Sequence, residues 1–145
     1  MSGIRVCIDT NVFLNVRNKE ETHYPHSKEV LLSVDKGILE AVIPALVISE
    51  VMTGFYLDKR NSDAEHFLSA IITDKRNVIA PLNLDIAVSS AKVKACTGLK
   101  LPDSIILATA IKTRAKFLVS NDNRFPESYE GVRIVKSREL IEILE

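Results

Sequence analysis

Near its start the chain runs Ile4-Arg5-Val6-Cys7-Ile8 and then stops on Asp9-Thr10-Asn11. A short, mostly apolar and β-branched run of this kind is the pattern of a strand buried on both faces, which calls for a parallel sheet covered by helices. In open sheets of that class, ligands collect outside the carboxyl ends of the strands. Asp9 stands at such an end, and Glu50, Asp103 and Asp122 occupy comparable settings further along.

Strand-like and helix-like patterns alternate after that point. The polar stretch Asn15 to His26, following a first helical turn, reads as an exposed loop. A helix is expected from about Ser27 to Lys36, with Val30, Leu31 and Val34 on one face and Gly37 as its stop. Ala41-Val42-Ile43 is short enough for a second strand, and Pro44 starts a helix whose apolar stripe is Val47, Ile48, Val51, Met52 and Phe55. Ser62-Asp63-Ala64-Glu65 matches a capping box and predicts a helix start.

Val78-Ile79-Ala80-Pro81 reads as a third strand, followed by a helix from about Leu84 to Ala95 that ends near Gly98. Pro102 opens a helix over Asp103 to Thr113 that is apolar nearly all round, the mark of a buried helix. Phe117-Leu118-Val119 is a fourth strand running into Ser120-Asn121-Asp122, and Val132 to Val135 a fifth, before a terminal helix capped by Ser137. Strands separated by helices imply right-handed crossovers and a parallel sheet. No internal repeat or low-complexity linker divides the 145 residues, so one domain, 1–145, is expected.

Nineteen basic and nineteen acidic side chains cancel, so affinity for a polynucleotide has to come from local patches or bound cations. Cys7 and Cys96 make neither a disulfide framework nor a metal-ligand spacing, which fits a reduced, cytoplasmic setting. No signal-peptide pattern and no 18-residue apolar run is present, so no membrane association is expected.

Each acid has a bland explanation. Asp9 can be a turn former, Asp103 can serve the dipole of its helix, Glu50 can be a solvated residue opposite the main apolar stripe, and Asp122 can be a loop residue. Leu46 and Leu57 share the side of Glu50, which would place it in a crevice between two covered faces. As a set, the four acids need a resident positive charge, since clustered buried carboxylates otherwise protonate. Hard oxygen donors without Cys or His suit Mg2+ or Mn2+ better than Zn2+. His23 and His26 lie in the expected loop with Tyr24, and His66 in a helix, so surface roles are assigned to them.

Ile-Asp-Thr-Asn-Val-Phe-Leu at 8–14, Ile-Ser-Glu-Val at 48–51, Leu-Pro-Asp-Ser-Ile-Ile-Leu-Ala-Thr-Ala at 101–110 and Leu-Val-Ser-Asn-Asp at 118–122 together resemble the PIN domain nucleases, most of all the single-domain VapC-type toxins. The resemblance spans essentially the whole chain in motif order and spacing. It implies a three-layer α/β/α sandwich with a parallel sheet ordered 3-2-1-4-5. It also implies a Mg2+- or Mn2+-dependent ribonuclease site formed by Asp9, Glu50, Asp103 and Asp122, with Asn11 and Ser120 supporting the acids by hydrogen bonding.

The chemistry expected of such a site is in-line attack of an activated water on a phosphodiester, with single-stranded or structured RNA as substrate. Arg17, Lys100 and Arg124, together with Lys19, Lys92 and Lys94, lie near the acidic motifs in sequence and are candidate phosphate contacts. A small antitoxin partner and a homodimer follow from the toxin analogy alone. Phe13, Phe55, Tyr56 and Phe67 are candidates for an apolar partner surface or for the core.

Two other classes share parts of this pattern. A PIN-like RNA-processing or RNA- or protein-binding module without strong cleavage would be signalled by loss of an acid, and all four are present. A haloacid-dehalogenase-like phosphatase using Asp9 as nucleophile also begins on a strand ending in Asp, but Asn11 stands where that family places its second Asp.

Overall fold

The computed structural model describes residues 3–145. One six-stranded sheet is built from β1 (Ile4–Ile8), β2 (Leu39–Pro44), β3 (Asn77–Ala80), β4 (Phe117–Val119), β5 (Ser128–Tyr129) and β6 (Val132–Val135), in the order β3-β2-β1-β4-β6-β5. Every neighbouring pair is parallel except β5–β6. The expected order of five parallel strands is present, with β6 in the place of the fifth. The short β5 is an addition at the edge. It reaches β6 through a turn in which Glu130 (φ 49°) and Gly131 (φ 83°) both lie in the left-handed region, the geometry of a tight two-residue hairpin.

Among the described residues seven helices accompany the sheet: α1 (Thr10–Arg17), α2 (Tyr24–Asp35), α3 (Ala45–Leu57), α4 (Asn61–Thr73), α5 (Leu84–Thr97), α6 (Leu101–Lys112) and α7 (Ser137–Leu144). Period-two alternation sends Ile8, Ala41 and Ile43 to the face lined by Phe13, Leu31, Phe67 and Ile71 from α1, α2 and α4. Cys7 points the other way, with its thiol toward the Ile106 carbonyl of α6. Helices therefore cover both faces, as a buried parallel sheet requires. Arg5, the charge inside β1, lies opposite Glu40 in the β1–β2 register and pairs with it at 2.5 Å.

Several local expectations are corrected. The segment Asn15 to His26 is half helical: α1 continues to Arg17, α2 begins at Tyr24 with Pro25 in its first turn, and residues 18–23 form a largely exposed connection. Tyr24 and His26 thus belong to a helix. Polar residues there found tertiary partners: Asn15 accepts hydrogen bonds from Asn121 Nδ2 and the Ser27 hydroxyl, and Arg17 packs over the Phe55 ring. The turn between the helices is tied by Glu20, whose carboxylate accepts the Thr22 and His23 N–H groups and is held below the usual range by those bonds.

The Ser62 capping box does not form. Helix α4 starts at Asn61 with Arg60 at the cap position, two residues before Ser62, and no side chain caps it. Ser137 likewise lies inside α7, where Glu139 accepts the Lys136 N–H, while Ser137 is buried against Ser27. Gly37 (φ 76°) and Gly98 (φ 74°) do end α2 and α5, each in a left-handed conformation that side chains rarely adopt. Phe13 and Phe55 are buried, Phe67 packs edge-on against Phe13, and Tyr56 is exposed. Leu57 is also exposed, so of the two leucines beside Glu50 only Leu46 packs on the core.

Candidate active site

The strand order reverses between β1 and β4, and both strands end at the same edge of the sheet. Asp9 follows β1 directly. Its N–H continues the ladder to the Val119 carbonyl at 3.0 Å, so its backbone is set by the sheet. It is also the N-cap of α1, with Oδ1 accepting the Thr10 N–H at 2.8 Å. The turn-forming role and the site position therefore coexist in one side chain.

Asp9 is fully buried. Its Oδ2 accepts from the Ser120 hydroxyl at 2.8 Å, Asn11 Nδ2 at 2.9 Å and Arg124 Nη2 at 3.2 Å. Burial pushes the Asp9 carboxyl above its ordinary value. The Ser120 hydroxyl, the Arg124 guanidinium and the Thr10 N–H act in the opposite direction, and the charge of Asp103 adds to the rise. The four donors partly offset the penalty that burial puts on the Asp9 anion.

Asp103 sits in the first turn of α6, where the helix dipole favours a carboxylate by about 0.3–1 kcal/mol. Pro102 supports that start because the first helical positions need no N–H donor. Asp103 is buried, and its Oδ2 accepts from Arg124 Nε at 2.7 Å. Asp122 is exposed, and its Oδ2 pairs with Arg124 Nη1. One guanidinium thus bridges Asp9, Asp103 and Asp122. Glu50 is half-buried on α3, its Oε1 accepting from the Thr10 hydroxyl at 2.7 Å. A cavity of about 570 Å³ is lined by Glu50, Lys100, Pro102, Asp103, Asp122 and Arg124, among others.

Asn11 and Ser120 both reach Asp9 and also bond each other at 3.1 Å. Sequence reasoning missed Thr10 and Asn121. The Asn121 Nδ2 donates to Asn15 Oδ1 at 2.7 Å and Ser27 Oγ at 2.9 Å, its Oδ1 accepts the Ser137 N–H at 2.9 Å, and its own N–H donates to Asn11 Oδ1 at 3.0 Å. It therefore ties the segment after β4 to α1, α2 and α7. The only available signal was its place between Ser120 and Asp122.

Of the basic candidates, Lys100 and Arg124 face the acidic cavity. Arg17 does not line it: its guanidinium lies 5.1 Å from the Phe55 ring centroid and pairs with Asp58 at 3.1 Å. Lys94 is spent on the Leu99 carbonyl, Lys92 lines a separate cavity beside Tyr129, and Lys19 is an exposed turn residue.

The family model of the PIN domain matches residues 6–130. The chain belongs to the PIN domain family. Its fold is shared with solved toxin–antitoxin structures: a toxin–antitoxin complex from Klebsiella pneumoniae superposes with TM-score 0.68 at 25% identity, covering 88% of this chain and 94% of that one. VapBC2 from Rickettsia felis, bound to a promoter DNA fragment, superposes with TM-score 0.69 at 17% identity, covering 92% and 98%. The sarcin-ricin-loop-cleaving toxin VapC20 of Mycobacterium tuberculosis gives TM-score 0.70 at 11% identity, covering 88% and 98%. No curated protein matches the chain.

The donor set of this PIN domain suits a hard dication. Carboxylate oxygens of Asp9, Asp103 and Asp122 converge on one positive group, and Glu50 lines the same cavity. Among the described residues no three His, Cys, Asp or Glu side chains close into a metal-holding group. The guanidinium of Arg124 stands between the aspartates. Also among the described residues, no helix is long and apolar enough to cross a membrane.

Proposed function

We propose that this chain is a single-domain, metal-dependent endoribonuclease that cleaves single-stranded RNA, and that it is the toxin of a toxin–antitoxin pair. The observation that carries the reading is the convergence of Asp9, Asp103 and Asp122 on one cation, beside Glu50, at the strand edge where β1 and β4 diverge. Glu50, Asp103 and Asp122 line one cavity and Asp9 joins them through Arg124, although packing alone gives these acids no common reason to meet.

Asp9 and Asp103 are the proposed principal ligands, since one is fixed by a strand and a cap and the other by a buried helix. Asp122, on an exposed segment, is proposed to complete the set. Mg2+ or Mn2+, when bound, supplies polarisation of the phosphodiester and acidification of a water. Thr10 fixes Oε1 of Glu50, leaving Oε2 to orient the attacking water and take its proton. Ser120 and Asn11 hold the Asp9 rotamer by two hydrogen bonds to one oxygen. Lys100 and Arg124 are placed to meet phosphate oxygens.

The partner reading rests on the toxin–antitoxin complexes among the similar folds, and it adds a small antitoxin, a homodimer and a cytoplasmic setting. The test is cleavage of a mixed single-stranded RNA by purified protein, with Mg2+, Mn2+ or chelator, beside Asp9→Asn. Cleavage that needs the metal and is lost in the variant is expected. Equal cleavage by both proteins, or none with either metal, refutes the nuclease reading.

A further inference from the structure

We propose that Arg124 is the built-in counter-cation of the acidic pocket, and that a divalent ion enters only by displacing it. This rests on the metal-site reading above and concerns what the chain does before the metal arrives. All three guanidinium nitrogens are committed to different acids: Nε to Asp103 at 2.7 Å, Nη2 to Asp9 at 3.2 Å, and Nη1 to Asp122. Asp9 and Asp103 are the two acids proposed above as the principal metal ligands, so Arg124 and a dication would compete for them.

Two buried carboxylates and a third at the rim bring like charges close together, and that repulsion calls for a cation among them. Arg124 supplies it. Lys100 lines the same cavity, yet among the described residues it makes no ion pair with any of the acids. A guanidinium keeps its charge throughout the working pH range, so it cannot yield the pocket by losing a proton. It has to move.

The fold gives it room to do so. Arg124 follows β4 on a segment outside any helix or strand, and its side chain is 35% exposed although its head group reaches the fully buried Asp9. Its guanidinium carbon is also 5.2 Å from the Phe125 ring centroid, an aromatic neighbour beside the pocket. Two cations competing for one set of oxygens are linked, so whatever Arg124 contributes to the metal-free fold is subtracted from metal affinity. The phosphate contact assigned to Arg124 opens only after this exchange, which orders metal binding before RNA binding.

The experiment is calorimetric titration of MnCl2, and separately MgCl2, into the metal-free full chain, wild type against Arg124→Gln, with urea unfolding of the same metal-free samples. The Gln variant is expected to bind Mn2+ about tenfold more tightly or better, equivalent to about 1.4 kcal/mol, and to unfold at lower urea when metal-free. These opposite signs in one variant distinguish displacement from a general loss of structure. Equal or weaker Mn2+ binding by the variant overturns the proposal while leaving the metal site standing. Absence of Mn2+ binding by both proteins removes the metal site itself, and displacement with it. In wild type, the Arg124 Nε–H NMR signal should move as Mg2+ is added; a signal unchanged at a Mg2+ concentration that calorimetry shows to be saturating also overturns it.

Discussion

Replacing Ser120 with alanine removes one oxygen from a fully enclosed place. The hydroxyl donates to Asp9 Oδ2 at 2.8 Å and accepts from Asn11 Nδ2 at 3.1 Å and the Asp122 N–H at 3.2 Å. A hydrogen bond to a charged group contributes about 1.5–3 kcal/mol, against about 0.5–1.5 kcal/mol for a neutral one. The metal-free Ser120→Ala protein should therefore be about 1.5–3 kcal/mol less stable than wild type at pH 7. The pH dependence has a definite sign. Burial already raises the Asp9 carboxyl above 3.8, so this group's contribution to stability is full below that pH and is lost as pH rises through the higher folded-state value. Ser120 opposes that loss, and its removal deepens it. Urea unfolding of both proteins at pH 7 and again below pH 4 should show the gap contracting toward the neutral-bond figure in acid. A gap of the same size at both pH values would refute the assignment of Ser120 as a stabiliser of ionised Asp9.

Two further substitutions test the groups that only the folded structure revealed. Thr10→Val keeps the shape of the side chain but deletes its 2.7 Å bond to Glu50, so metal-dependent RNA cleavage should fall by about 10- to 100-fold with little change in melting temperature; unaltered turnover would show that Glu50 needs no such anchor. Asn121→Ala deletes three side-chain bonds joining the segment after β4 to α1, α2 and α7 and should cost about 2–4 kcal/mol at roughly 1 kcal/mol per bond. Denaturant unfolding measures it, and a loss below about 0.5 kcal/mol would mean the network contributes little to stability.

Strand and buried-helix segments were legible because their signal is local. β1, β4 and α6 are mostly apolar segments, as a sheet covered by helices requires, and the acids at or just beyond their ends were visible in the sequence. Around residues 15–26, polarity does not report exposure. Asn15 and Ser27 are instead consumed by Asn121, and Arg17 by Phe55 and Asp58. Pro25 near the start of α2 was a readable helix-start signal pointing the other way. The Ser62 pattern failed because α4 begins at Asn61, which places Ser62 inside the helix and out of the cap position. The β5 hairpin spans only two residues, too short for any periodicity to register.

From the amino-acid order alone came the α/β architecture, the parallel core strands and the four acids, since hydrophobic period and element ends depend on near neighbours. Tertiary structure decided that one guanidinium bridges three of those acids, that Thr10 holds the fourth, and that Arg17 faces an aromatic ring elsewhere. Each of those outcomes depends on which distant backbone segments the sheet sets side by side. A charged side chain several bonds long takes whichever partner lies within a few ångströms, and sequence spacing does not encode that distance.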